Sequence, residues 1–162
     1  MNPNKRKQRI AELQFQAQIR NMMASIQPMT DELQRLNAAY TLILPDDPLF
    51  DEPLQWIGAK FMTSAVNIVW EEAQNVQFFT WQRGEDLKSL LKKLHHDEAL
   101  DASEYVLCVF GSPKPHTLEL RHLAETIGFA SEFETEWWVI PRSRKWIIEC
   151  CLYGEVRFCW IS

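Results

Sequence analysis

The sequence predicts an α+β fold in which a helical N-terminal third precedes a mixed or antiparallel sheet with helices packed on it. Apolar residues recur at helical spacing through the first third, and short apolar runs rich in Trp, Val and Ile fill the last third. Between these two regions, strand-like and helix-like patterns alternate. We therefore expect the element order β-α-β-α-β-β-β after the helical front.

The length of 162 residues suits one globular unit. We expect residues 1–44 to form a helical segment of two helices that packs on the body or on a partner. Residues 45–162 are expected to form the α+β body, which ends in a β-hairpin.

The first third contains two helical patterns with a proline between them. Residues 5–26 place apolar side chains on neighbouring helical rows, and Pro28 is expected to end this helix. Thr30 and the acidic residues after it are typical of a cap and first turn, so a second helix is expected to start there. Residues 41–44 are apolar and suit either a strand or an extended link.

The remaining helices, strands and loops are predicted from proline- and aspartate-rich segments and from the spacing of apolar residues. Residues 45–53 are rich in proline and aspartate and predict a loop. A wide apolar stripe predicts a central helix from about Pro53 to Ala73. Strands are then expected at 76–81, 105–110, 136–140, 145–152 and 155–161, and helices at 84–95 and 113–127.

The last two strands are predicted to form a hairpin with a two-residue turn at Tyr153–Gly154. This turn pairs Ile148 with Cys159. Residues two apart share a face, so the same register places Glu149 and Arg157 on opposite faces. Both faces are strongly apolar, and both must therefore be covered by other parts of the chain or by another molecule.

The charge is divided unevenly along the chain. The net charge is −5, but the first twenty residues carry five basic side chains and one acidic one, which leaves twelve basic and twenty-one acidic side chains in the rest. An acidic body disfavours non-specific binding to nucleic acid and favours a protein partner with a basic surface.

The four cysteines and the N-terminus predict a cytoplasmic protein. All four thiols sit in strand-like apolar runs without the spacing of a disulfide framework or a zinc site, which indicates buried free thiols in a reducing compartment. No apolar segment follows the basic N-terminus as it would in a secretion signal, and no run approaches the ~20 apolar residues of a membrane span.

Three local patterns contain residues that could form a metal, catalytic or phosphate-binding site, and each has a simpler structural interpretation. The cluster His95–Glu98 lies at a helix end, where its side chains point in different directions instead of converging on a metal. Cys108 lies in a strand among apolar neighbours, which favours burial over nucleophilic reactivity. The segment Gly111–Pro115 lacks the glycines of a phosphate loop. We therefore predict no catalytic residue, no metal site and no cofactor.

Composition favours a non-enzymatic binding protein. Trp and Arg are typical of the residues that dominate protein interfaces, and acidic loops steer basic partners. We expect the protein to neutralise or inhibit a protein partner, as an immunity protein, an antitoxin or an enzyme inhibitor does. The predicted partner-binding residues are Asp46, Asp47, Asp51, Glu52, Trp138, Arg142, Arg144 and Trp146.

Two other functions and one assembly state remain open at this point. The basic N-terminal helix is compatible with a nucleic-acid-associated regulator. Dispersed Cys, His and carboxylate side chains are compatible with a small enzyme whose site is assembled by the fold. Self-association to a homodimer, through the helix at 10–26 or the hairpin, is compatible with any of these functions.

Overall fold

An antiparallel sheet organises the fold in a computed structural model that describes residues 3–64, 67–80, 85–101, 103–110, 116–120, 137–151 and 154–161. The helices among these residues are α1 (Pro3–Arg35), α2 (Glu52–Lys60) and α3 (Glu85–Asp97), with a 3-10 turn at Trp70–Glu72. The strands are β1 (Tyr40–Ile43), β2 (Thr63–Ser64), β3 (Asn67–Ile68), β4 (Val76–Thr80), β5 (Val106–Phe110), β6 (His116–Leu120), β7 (Trp137–Pro141), β8 (Trp146–Cys151) and β9 (Glu155–Trp160).

Seven of the described strands form one sheet in the order β1-β6-β5-β7-β8-β9-β4, and every neighbouring pair is antiparallel. Strands β2 and β3 form a separate small hairpin. The predicted α+β class is confirmed. The strands expected near 76–81, 105–110, 136–140, 145–152 and 155–161 and the helix expected at 84–95 all appear within a few residues of their predicted bounds.

The sheet is covered on both faces, as its two apolar faces require. One face packs against the second half of α1 and against α3, through core residues that include Leu33, Leu91, Phe110, Trp137 and Phe158. The other face packs against α2 and the segment that follows it, through core residues that include Ile57, Trp70, Trp138, Ile140 and Ile147. Among the described residues, no helix has both the length and the apolar character that crossing a membrane requires.

A single helix spans the region where two were expected, so the prediction that Pro28 ends the first helix is wrong. Proline removes one backbone N–H, yet α1 continues through it, with buried side chains on both sides of the proline. These side chains are Met22, Ile26, Met29 and Leu33. Thr30 is no cap, because its hydroxyl donates to the Gln27 carbonyl at 3.0 Å within the helix. Packing on the sheet therefore outweighs the local cost of the proline.

The helix expected from Pro53 to Ala73 is also wrong in its length. Helix α2 ends at Lys60, because Phe61 adopts an extended conformation, and the chain then folds back through β2, β3 and the 3-10 turn. Phe61 packs between two indoles, with ring centroids 6.3 Å from Trp56 and 5.4 Å from Trp70. The wide apolar stripe comes from this folded-back segment, not from one central helix.

The helix expected at 113–127 is contradicted where the structure describes it. Residues His116–Leu120 form strand β6, which pairs with β1 on one side and with β5 on the other. Pairing on both sides satisfies the backbone of this segment, so tertiary context overrides a helical apolar pattern. The rest of that predicted helix, 113–115 and 121–127, lies outside the described residues.

The C-terminal hairpin is confirmed, but its register differs by one residue from the prediction. Ile148 pairs with Phe158, not with Cys159, and the loop has three residues instead of two. Gly154, the last residue of that loop, has φ 81°, as in three-residue hairpins that place glycine in the left-handed region. A shift of one residue exchanges the faces of a strand, so Glu149 and Arg157 lie directly opposite each other on the same face.

Helices α1 and α3 end in the same C-terminal motif. After α3, the Leu100 N–H bonds the His95 carbonyl at 3.0 Å and the Ala99 N–H bonds the His96 carbonyl at 3.2 Å. These two bonds form a Schellman motif. The residue with positive φ in this motif is usually glycine, but here it is Ala99, with φ 50°. Asn37 holds the same position after α1, with φ 52°.

Replacing Ala99 by glycine is expected to stabilise the protein. Alanine in the left-handed region is strained, and we expect Ala99→Gly to raise the free energy of unfolding by about 0.5–1 kcal/mol in urea denaturation. Asn37→Gly should have a smaller effect, since asparagine tolerates this conformation. The exposed Ala39→Gly is the control and should not stabilise; equal stabilisation by all three substitutions would contradict the strain.

Candidate functional site

A buried carboxylate lies on the face of the sheet that packs against α2. Glu149 of β8 is only 4% exposed and stands between Trp138 of β7 and Arg157 of β9 in the strand register. Its oxygens accept hydrogen bonds from Trp138 Nε1 at 2.8 Å, from Arg157 Nη1 at 2.8 Å and from Trp70 Nε1 at 2.5 Å. The Cys151 thiol also donates to Oε2, at 3.5 Å. Three nitrogen donors from separate parts of the chain and one thiol therefore satisfy one charge, as a buried carboxylate requires.

The guanidinium of Arg157 extends this cluster toward the surface. Its second amino group bonds Glu155 at 2.5 Å, and Cys151 Sγ lies 3.4 Å from Nη1. Burial acts to lower the pKa of Arg157, but the hydrogen bond to Glu149 and the nearby negative charges more than offset it, so the pKa is raised. The side chain is one quarter exposed, and its Nε has no hydrogen-bond partner among the described residues.

The thiols are placed to pack, not to react. All four cysteines are buried. Burial raises the pKa of Cys108 and of Cys150 far above the usual value, and it also raises the pKa of Cys159. Because the thiolate is the nucleophilic form, burial and the raised pKa values disfavour nucleophilic reaction of these three thiols at neutral pH. The position of Cys108 agrees with the burial that its apolar neighbours predict.

An open cleft at one end of the sheet is the best candidate for a functional surface. Its volume is ≈ 470 Å³, and it lies between the residues that follow α3 and the turn joining β7 to β8. Tyr105 and Trp160, each 41% exposed, contribute aromatic rings to its walls. The other lining residues include Asp101, Ser103, Glu104, Arg142, Ser143, Lys145 and Trp146.

Hydrogen bonds from the backbone hold the two sides of the cleft together. The Arg142 N–H donates to the Tyr105 carbonyl at 2.9 Å, and the Ser143 N–H donates to Glu104 Oε1 at 2.9 Å. Asp101 accepts from both the backbone and the hydroxyl of Ser103, at 2.9 and 2.7 Å. These two bonds from Ser103, the hydroxyl first, lower the pKa of Asp101, so its carboxylate stays ionised at neutral pH.

Each aromatic ring of the cleft is fixed by a polar or cationic neighbour. The guanidinium of Arg142 lies over the Tyr105 ring, 5.7 Å from its centroid. The indole N–H of Trp160 donates to Glu98 Oε2 at 2.7 Å, and its ring meets Phe158 edge-on at 5.6 Å. Both rings are therefore held in place while two fifths of their surface faces solvent, which is the arrangement of a preorganised binding surface.

The eight residues predicted to bind a partner do not form one surface in the structure. Trp138 and Trp146 are 3% and 2% exposed and lie in the cores on opposite faces of the sheet, so neither is a surface anchor. Arg142 and Trp146 both line the cleft, but only Arg142 is exposed. Arg144 forms an ion pair with Glu52 and lies 5.6 Å over the Trp56 ring.

The remaining predicted residues lie in the acidic loop before α2. Asp46, Asp47 and Asp51 are all exposed, and Asp47 accepts a hydrogen bond from the Leu49 N–H at 2.9 Å. The Glu52–Arg144 pair joins the end of this loop to the β7–β8 turn, so the structure brings two of the predicted patches together.

The main surface residues that sequence reasoning missed are Asp101, Glu104, Tyr105 and Trp160. Tyr105 directly precedes a buried strand and Trp160 ends an apolar one, so both resembled core residues. The only sequence signal for the exposure of Trp160 was its place at the end of the last strand, since it shares a face of β9 with buried Phe158. The acids at 101 and 104 resembled ordinary loop residues.

The cluster His95–Glu98 does not converge on one point. Burial lowers the pKa of His95, with the charge of Asp101 acting against it, and His95 Nε2 is buried without a hydrogen-bond partner among the described residues. His96 is exposed beside Asp97, and Glu98 is bonded to Trp160. Among the described residues, no three His, Cys, Asp or Glu side chains are grouped to hold a metal ion. The segment Gly111–Pro115 lies outside the described residues.

Comparisons with models of protein families, with curated proteins and with solved structures find nothing that matches this chain.

The raised pKa values of the thiols predict a loss of stability in alkali. Unfolded thiols ionise above about pH 8.5, whereas the folded thiols of Cys108 and Cys150 stay protonated. Below that pH these thiols should not change the free energy of unfolding. Above it the free energy of unfolding should fall as the pH rises, because the unfolded thiols lose protons that the folded thiols keep. Urea denaturation between pH 7 and pH 10 measures this fall.

The matched variant for that measurement is Cys108→Ala, which should show a shallower fall than the wild type. Ellman's reagent gives a second readout, since the folded protein should react slowly and the denatured protein should release four equivalents. Rapid reaction of the thiols in the folded protein would contradict their burial.

Proposed function

We propose that this protein is a non-enzymatic, cytoplasmic binding protein that occupies and neutralises a protein partner with a basic surface. The observation that carries the proposal is the cleft in which Tyr105 and Trp160 are held in place yet 41% exposed, next to the carboxylates of Asp101 and Glu104. It is a binding function of the immunity-protein, antitoxin or enzyme-inhibitor type.

The aromatic content of the cleft supports a protein partner. Tyr, Trp and Arg carry most of the binding energy in protein interfaces, because their large side chains bury extensive area against a partner. The cleft offers all three in Tyr105, Trp160 and Arg142. These residues take the place of Trp138 and Trp146 as the proposed anchors.

The charge around the cleft supports a basic partner. Glu98, Asp101 and Glu104 supply three carboxylates, and Arg142 and Lys145 supply two cations, on a chain whose net charge is −5. An excess of negative charge steers a basic protein toward this end of the sheet and repels acidic competitors.

The ionisable groups of the cleft are suited to recognition more than to proton transfer. A general acid works best with a pKa near the working pH. The pKa of Asp101 is instead lowered by its bonds to Ser103, and Glu104 is engaged by the Ser143 N–H. Both carboxylates accept hydrogen bonds that hold the walls of the cleft, which suits them to fixed recognition contacts.

The proposal predicts that the two exposed rings anchor the partner. Affinity capture from the native lysate should recover one basic protein with the wild type and lose it with Tyr105→Ser combined with Trp160→Ser. Loss of two aromatic anchors should weaken binding by at least about 2–4 kcal/mol, which is about 30-fold or more.

The matched control is Phe78→Ser on the edge strand β4, since Phe78 is 61% exposed and lies away from the cleft. This control should retain the partner. Isothermal titration with the captured protein then measures the affinity and its dependence on salt. Equal capture by the double variant and the wild type, or no basic protein bound by either, would refute the proposal.

A further inference from the structure

The first half of α1 is a helix with exposed residues on every side. All residues from Asn4 to Gln14 are exposed, and full burial along α1 begins only at Met22. Isolated helical segments of this length are marginal in water unless a neighbour covers an apolar face. A contact along residues 4–21 would be ~27 Å long at the rise of an α-helix.

This exposed half carries an apolar row that leads into a groove. Ile10 and Leu13 are 45% and 53% exposed, and they fall on the same helical face as Gln14 and Ala17. Farther along the same face, α1 and the acidic loop enclose a groove of ≈ 500 Å³. The groove is lined by Gln14, Ala17, Gln18, Asn21 and Met22 of α1 and by Pro45 and Phe50 of the loop.

Opposite charges lie at the two ends of this row. The tip of α1 carries Lys5, Arg6, Lys7 and Arg9. The loop beside the groove carries the exposed carboxylates of Asp46, Asp47 and Asp51, between and after the two residues that line the groove. The basic tip opposes the dipole of its own helix, so it gains from a contact with negative charge.

We propose that the groove is occupied by the first half of α1 from a second copy of this chain, in an antiparallel pair about a two-fold axis near Gln14. In such a pair, Ile10 of each copy comes level with Gln18 of the other and enters its groove. Lys7 comes level with Asn21, where the acidic loop adjoins the helix. Each copy gives and receives the same contacts, as an isologous dimer requires.

The arrangement follows from both the spacing and the charges. Four residues separate Ile10 from Gln14 and another four separate Gln14 from Gln18, so the same axis that places the apolar residue in the groove also places the basic tip on the acidic loop. Ala17 is small and allows the two backbones to approach closely. This inference does not rest on the function proposed for the cleft, because the groove and the cleft share no lining residue.

Cross-linking tests the geometry directly. Gln14→Cys places a thiol near the axis, whereas Gln16→Cys places it on the opposite side of the same helix. The four native thiols are buried. A short bismaleimide should convert most of Gln14→Cys to a covalent dimer and should leave Gln16→Cys monomeric; equal cross-linking of the two variants, or none in either, would overturn the proposal.

Sedimentation velocity over a range of concentrations tests the energetics. The wild type should dimerise, and Leu13→Asp should raise the dissociation constant at least about tenfold, which is about 1.4 kcal/mol. Leu13 is exposed in the single chain, so this variant should still fold. The matched control Met62→Asp replaces another exposed apolar residue, 62% exposed and away from α1, and should dimerise normally.

A charge swap tests whether the basic tip of one copy contacts the acidic loop of the other. Lys5→Glu with Lys7→Glu should weaken the dimer, as should Asp46→Lys with Asp47→Lys, and combining the four changes should restore it. A monomeric wild type at every concentration, a dimer indifferent to Leu13→Asp, or a basic tip that binds an oligonucleotide while the chain stays monomeric would each overturn the inference. Tyr105→Ser with Trp160→Ser should leave the dimer intact, which separates this result from that for the cleft.

Discussion

The structure depends on satisfying one buried charge. Apart from Arg157 and Glu155, the neighbours of Glu149 on its face of the sheet are apolar, and an unpaired carboxylate there would cost several kcal/mol. Its donors come from three separate places: Arg157 in the next strand, Trp138 in the strand on the other side, and Trp70 in the segment folded over the face. Each hydrogen bond fixes the relative position of two segments that apolar contacts alone would not define. The pair with Arg157 sets the register of the hairpin, and the bond from Trp70 holds the covering segment over the strands. A buried ion pair adds little net stability compared with apolar residues of the same size, so we interpret this one as a device that selects a single arrangement.

Sequence patterns predicted the class of fold and most strands, because strands buried on both faces give short apolar runs that few other elements resemble. The same property explains the error in register. When both faces of a hairpin are apolar, alternation does not distinguish them, and a shift by one residue leaves the pattern almost unchanged. The polar residues carried the missing information, since Glu149 and Arg157 satisfy each other only in the observed register. Local turn preferences favour a two-residue turn, whereas Gly154 ends a loop of three residues in the structure.

The errors in the helical regions have a common cause, which is that contacts distant in sequence decide where a helix ends. Pro28 is tolerated because buried side chains flank it, and Phe61 ends α2 because its ring packs between two indoles. The candidate cleft was missed for a related reason. Tryptophans in apolar runs look alike in sequence, and only the sheet reveals that Trp138 is buried while Trp160 keeps two fifths of its surface exposed. The composition indicates an acidic surface, but the positions of the carboxylates around the cleft depend on turns such as the one that Asp101 forms with Ser103.

A double-mutant cycle on Glu149 and Arg157 tests the central claim most directly. The single variants Glu149→Gln and Arg157→Met, and their combination, would be compared with the wild type in urea denaturation. The two residues bond at 2.8 Å across neighbouring strands, so we predict a coupling free energy of at least about 1.5 kcal/mol, with the double variant more stable than the sum of the single losses implies. In a hairpin shifted by one residue the two side chains would lie on opposite faces of the sheet. A coupling free energy near zero would therefore contradict the register and the role assigned to the buried charge.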